Sequence, residues 1–220
     1  MSWVSFAFSQ AEHVVVVGSE HKVSVGTNAS STFMWGVYAD ANGSVDSPII
    51  NYDFIDGISN TNSVEIKWFV AGIHYLVVTE TGSDDCDTRR LVKVNVVDTP
   101  TIAFEQLTSE DCPDEENSFA TALVAKFDTD TDLSENQYPL TVNYRVTGDT
   151  EDKTAEIKYA DKMLNVVGII ENEITETKND ITIMSATNKY GGILNVVSGE
   201  EIHTRTIFAL PAKPIITITN

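Results

Sequence analysis

Alternation constrains this chain more than any other feature. Leu140, Val142, Tyr144 and Val146 are apolar, while Thr141, Asn143 and Arg145 between them are polar. Successive side chains of an extended strand point to opposite faces, so this stretch reads as a half-buried strand of an antiparallel sheet. The same period, or a short β-branched run, recurs in HKVSVGT, STFMWGVYA, SVEIKWF, HYLVVTE and RLVKVNVV of the first half. It returns in TALVAKF, KTAEIKYA, MLNVVGII, DITIMSATN, GILNVV, HTRTIFAL and the closing PIITITN. Turn-forming clusters such as GTNASS, DANGS, DGISNTN and TGSDDCD separate the runs of the first half,. No segment there sustains a helical period between caps, and ENEITETKND reads as a polar connection. Short strands with regular punctuation predict β-sandwiches.

Pro100 interrupts the series in VVDTPTIAF. Proline has no N–H to give a continuing central strand, so a junction is expected there. The predicted organisation is a first sandwich over 11–98 and a second over 99–220. An N-terminal arm or edge strand, 1–10, precedes them. Trp3, Phe6 and Phe8 put three aromatics on that uncharged arm, which reads either as an edge strand of the first core or as a docking arm,.

The charge is lopsided, at −19 with a pI near 4.3. Such a surface repels phosphate backbones and anionic lipid, so neither a nucleic acid nor a membrane surface is an expected partner. Acidic side chains also keep sheet edges unpaired. Apolar runs such as Val14 to Val17 are far shorter than the ~20 residues a membrane-spanning helix needs,. The opening MSWVSFAFSQ lacks the basic region and sustained apolar stretch of an export signal, and no Lys or Arg precedes Lys22,. The expectation is a protein that stays in the cytoplasm or is packed into something assembled there.

Candidate sites are few. Arg89, Arg90 and Lys93 cluster after an acidic loop and are candidates for meeting an acidic partner,. Asp128, Asp130, Asp132 and Glu135 in DTDTDLSEN have calcium-loop spacing. An EF-hand loop needs Gly at its sixth position and Glu at its twelfth, where this chain has Leu133 and Pro139,. A weaker calcium site or a solvated acidic loop remains. Cys86 and Cys112, in SDDCD and EDCPD, read either as a disulfide across the junction or as two free thiols,. Neither belongs to a Cys-x-x-Cys motif and no histidine lies nearby, so zinc is not expected. His13, His21, His74 and His203 lie on separate runs, with no metal-binding pairing and no nucleophile elbow,. No enzyme and no cofactor are expected.

Residues 32–97 also carry a motif series: Trp35, then Val64, Ile66 and Trp68, then Gly72 and Tyr75, then Thr79 and Glu80, then Cys86 before the last strand. This resembles the PKD-like, immunoglobulin-like modules of Bacteroidota surface proteins. Cys112-Pro113, the run Tyr138 to Tyr144 and the closing PAKPIITIT resemble a companion module of the same proteins. The resemblance implies two tandem immunoglobulin-like (PKD-like) domains in an all-β fold, with Trp35 and Trp68 between sheets and Gly72 in a hairpin turn. Members of that family carry an export signal and a sorting domain, features not found in this chain. The expected function is therefore a virion structural protein of a tailed phage infecting Bacteroidota. It would be an auxiliary or decoration capsid subunit, or a head-fibre or tail-associated one, binding other virion proteins or further copies of itself as a homo-oligomer. The alternative is a fragment of a secreted surface adhesin or carbohydrate-binding module, with a glycan as partner.

Overall fold

The computed structural model describes residues 12–26, 30–84, 86–113, 117–127 and 130–211. Every regular element among them beyond short 3-10 turns is a strand, and no helix is long and apolar enough to cross a membrane. The chain divides into two compact units. One holds the residues up to Pro100 with Tyr190–Ile193; the other holds Thr101–Lys189 and the residues from Leu194.

The first unit has seven strands: β1 (Glu12–Val16), β2 (Glu20–Ser24), β3 (Thr32–Tyr38), β4 (Tyr52–Phe54), β5 (Ser63–Trp68), β6 (Gly72–Thr81) and β7 (Asp87–Val97). They form a four-stranded sheet, β1-β7-β6-β3, and a three-stranded sheet, β2-β5-β4. Numbered along the chain, the third, sixth and seventh strands share one sheet and the second, fifth and fourth the other. That is the immunoglobulin order. β1 departs from the simplest form by pairing in parallel with β7, Glu12 opposite Lys93 through Val16 opposite Val97.

Alternation explains the core. In β5, Val64, Ile66 and Trp68 are buried and Glu65 is exposed; in β3, Phe33, Trp35 and Val37 are buried while Met34 is 69% exposed. Trp35 and Trp68 come from opposite sheets and meet in one apolar cluster, as the resemblance implied. The Trp35 indole N–H donates to the Thr61 carbonyl at 2.7 Å, which satisfies its polar atom,. Gly72 corrects an expectation. β5 and β6 lie in different sheets, so residues 69–71 cross between layers and make no hairpin. Gly72 opens β6 at φ 141°, a conformation that favours glycine,.

The second unit has nine strands: β8 (Thr101–Phe104), β9 (Thr108–Asp111), β10 (Ser118–Lys126), β11 (Leu140–Val146), β12 (Lys153–Ile157), β13 (Met163–Val167), β14 (Thr177–Thr187), β15 (Ile193–Val196) and β16 (Ile202–Ile207). β12-β11-β14-β16-β9 run side by side, as do β8-β10-β13, and β15 joins the two sets by pairing with both β14 and β8. Leu140, Val142, Tyr144 and Val146 all face a core shared with Ile181, Ile207, Leu123 and Leu164. This unit too is an immunoglobulin-like sandwich. The closing PIITITN and the arm with Trp3, Phe6 and Phe8 lie outside the described residues.

Candidate functional site

The first unit gathers exposed apolar side chains at one end. β4 and β6 begin there and β5 and β7 finish there, since Tyr52 pairs with Trp68 and Gly72 with Val96. Two connections meet at this end, 47–51 and 69–71. Ile49 is 84% exposed and Ile50 74%, with Phe69, Val70 and Ile73 each above 40%. Polar bonds hold both connections. The Phe69 N–H donates to the Asn51 carbonyl at 2.8 Å. The buried His74 ring, stacked 5.4 Å from Trp68, donates from Nε2 to the Val70 carbonyl at 3.2 Å. Its Nδ1 then accepts from the Ser47 hydroxyl at 3.4 Å, and Asn51 donates to that same hydroxyl at 3.1 Å. The apolar side chains thus project from a braced loop pair, and exposed clusters of that kind mark interaction surfaces. Sequence reasoning passed over them. The readable signal was two uninterrupted apolar runs, PII and WFVAGI, at turn positions,.

The three basic candidates do not form one surface. Strand alternation sends Arg89 and Lys93 to the outer face of β7, whereas Arg90 lies on the side of Val94 and Val96, opposite Val78,. Arg89 is engaged within its own unit. Its guanidinium donates to the Gly43 carbonyl at 2.5 Å and lies 5.1 Å from the centre of the Tyr38 ring. The loop it pins is closed by Asp40, whose carboxylate accepts from the backbone N–H groups of Val45, Ser44 and Asn42. Those donors, Val45 first, hold the Asp40 carboxyl below its ordinary range,.

The acidic loop of the second unit offers less than its spacing implied. Asp128 lies outside the described residues. Asp132 pairs with the Lys162 ammonium at 3.1 Å, a cation already in place, and its backbone bridges Lys126. Glu135 starts a 3-10 turn. Among the described residues, no three His, Cys, Asp or Glu side chains group to hold a metal ion, Asp130, Asp132 and Glu135 included. Cys86 and Cys112 are free, exposed thiols, one in each unit.

One arrangement was unreadable from sequence. His203, 1% exposed on β16, lies between the rings of Phe104 and Phe119, each 5.5 Å away. Its Nδ1 donates to the Gln106 carbonyl at 2.7 Å, so Nε2 accepts from the Ser109 hydroxyl at 2.7 Å. Arg205 reaches the same hydroxyl at 3.4 Å, pairs with Asp111 at 2.7 Å and covers Phe119 at 4.8 Å. Serine, histidine and an orienting acceptor are the parts of a nucleophilic dyad. Here they join β9 to β16, and two phenyl rings pack the imidazole. The arrangement is a latch between strands.

No protein-family model and no curated protein matches the chain. Among solved structures it is similar to the fibronectin(III)-like modules of Clostridium thermocellum CbhA, at 14% identity over 98% of both chains with a TM-score of 0.39. It is also similar to CBD12 from CALX1.2, at 9% identity over 91% of this chain and 98% of that one, TM-score 0.34. DIP-gamma IG1+IG2 matches at 10% identity over 93% and 96%, TM-score 0.26. These scores add nothing to the strand order, on which the fold assignment rests. That fold is consistent with protein-binding modules.

Proposed function

We propose that the chain is a non-enzymatic structural protein of a tailed-bacteriophage virion. It acts as an auxiliary or decoration subunit of the capsid, or as a head-fibre or tail-associated subunit, by protein–protein binding. The observation that carries a binding role is the braced apolar end of the first unit. Ile49, Ile50, Phe69 and Val70 stand in water on loops that are already ordered, and Ile73 at the start of β6, so a partner that covers them pays little to arrange them,. Full burial of one such side chain contributes about 1.5–3 kcal/mol. The net charge of −19 opposes dense self-packing, which favours separated copies on the major capsid protein or a neighbouring subunit over a homo-oligomer,. The resemblance to Bacteroidota modules supplies the host group. The protein is then assembled in the host cytoplasm and reaches the outside in the particle at lysis.

Mass spectrometry of purified particles tests this. The chain is expected in them at a fixed ratio to the capsid protein, and the double variant Ile50→Glu, Phe69→Glu should fold normally yet be left out. Particles without the chain, or full incorporation of the double variant, overturn the reading. Recovery from the surface fraction of uninfected cells supports the alternative, a secreted adhesin or carbohydrate-binding module, which an open aromatic groove in the second unit favours.

A further inference from the structure

In the second unit, the turn 158–162 between β12 and β13 faces the segment 134–139 across an open groove of about 890 Å³. That volume lies within the range of small-molecule sites. Tyr138 and Tyr159 meet in it edge to face, their ring centres 5.3 Å apart. Tyr138 is buried, and burial pushes its phenol up to about 12, so it remains a protonated donor at physiological pH. Tyr159 is 40% exposed. Its ring is steadied by Tyr138 and by the Lys162 ammonium, 5.4 Å from the ring centre and tied in turn to Asp132. The aromatic surface is therefore positioned before any ligand arrives, which removes part of the ordering cost of binding.

The rim defines the ligand's chemistry. Glu135 and Glu156 contribute two carboxylates, Lys158 and Lys189 two ammonium groups, and Ser134 and Asn136 uncharged polar groups. The charges of the rim cancel, although the whole chain stands at −19. A phosphate or a divalent cation finds no excess of opposite charge here. A molecule with hydroxyls on its edges and a C–H face fits both the mixed donors and acceptors and the tyrosine ring.

We propose that this groove binds a neutral saccharide chain, with Tyr159 packing on the C–H face of a sugar ring and Glu156 and Lys158 bonding its hydroxyls. The groove is open to solvent, so it can admit an internal unit of a longer chain as well as an end. The proposal is independent of the apolar end of the first unit and holds whether or not the chain is a virion subunit.

Amide NMR of the full chain tests it, with cellohexaose, xylohexaose, laminarihexaose and chitohexaose as probes and a galacturonate oligomer and a proline-rich peptide as comparators. At least one neutral hexaose should shift resonances confined to residues 134–139, 156–162 and 189. Tyr159→Ala should weaken that binding roughly tenfold or more. Lys158→Ala, on the exposed rim, should weaken it less, and circular dichroism should show both variants folded. The proposal is overturned if no neutral hexaose shifts these residues up to about 10 mM, far above any useful affinity. It is equally overturned if binding survives Tyr159→Ala, or if only the galacturonate or the peptide binds.

Discussion

Acidification should weaken the second unit through His203, and a single proton bounds the effect. The latch needs the neutral ring, because Nε2 accepts from Ser109 while Nδ1 donates to Gln106. Burial is the main cause holding this histidine below its ordinary pKa; the Gln106 carbonyl pulls it up and the Arg205 guanidinium lowers it further,. Other charged groups on the elements around it are Glu105 after β8, Glu110 and Asp111 on β9, Lys126 at the far end of β10, and Lys178 and Asp180 on β14. A folded value below the unfolded one gives the sign. The unfolded chain takes the proton first, so the contribution is complete above about pH 6.5 and is lost as pH falls through the folded value. One proton limits the slope to about 1.4 kcal/mol per pH unit.

The assay is urea unfolding between about pH 7.5 and 5, where histidine changes charge. Trp35 and Trp68 report on the first unit, and the resolved NMR resonances of Tyr138, Tyr144 and Tyr159 report on the second. His203→Leu should be less stable near neutral pH, since its bonds to the Gln106 carbonyl and the Ser109 hydroxyl are lost, at about 0.5–1.5 kcal/mol for each,. Its second-unit transition should also lose the pH slope that the parent shows, and this difference in slope is the decisive quantity. Equal slopes in parent and variant, or a parent second unit that gains stability on acidification relative to the variant, would refute the reasoning.

Other outcomes follow from the packing. Trp68→Ala removes a side chain that is 1% exposed and should cost about 3–5 kcal/mol, read as a lower urea midpoint of the first unit in circular dichroism with the second unchanged,. Gly72→Ala forces a Cβ onto φ 141° and should cost roughly 1–3 kcal/mol in the same experiment,. Cys86 and Cys112 are both exposed, so native protein should yield two reactive thiols to a disulfide-exchange dye without denaturant; fewer would show that one is bridged or covered.

The strands with a single wet face were legible because their alternation is local. SVEIKW and LTVNYRV declare their buried faces in the side chains themselves. β1 did not, because EHVVV pairs with Lys93–Val97 and no alternation within five residues betrays so distant a partner. β4 is a strand only by pairing with β5, and β9 only by pairing with β16. Gly72 was misassigned because two strands adjacent in sequence imitate a hairpin even when they belong to different layers. The split of Arg89 from Arg90 was within reach of the sequence, since neighbouring residues in a strand face opposite ways. The bond between His203 and Ser109 spans 94 positions, and neither segment carries a sign of the other.

The parallel pairing of β1 with β7 sets how the first unit bears a load. The chain enters β1 at Glu12, opposite Lys93, and leaves β7 at Val97, opposite Val16. Tension applied to the two ends of the unit therefore runs along both strands in opposite senses. The ladder between them is stressed as a whole instead of opening one rung at a time. In the second unit, β9 and β16 are likewise parallel, from Thr108 opposite Thr204 to Asp111 opposite Ile207. The first unit, whose entering and leaving strands are the paired ones, therefore resists stretching through bonds that must fail together, whereas in the second β8 comes before β9.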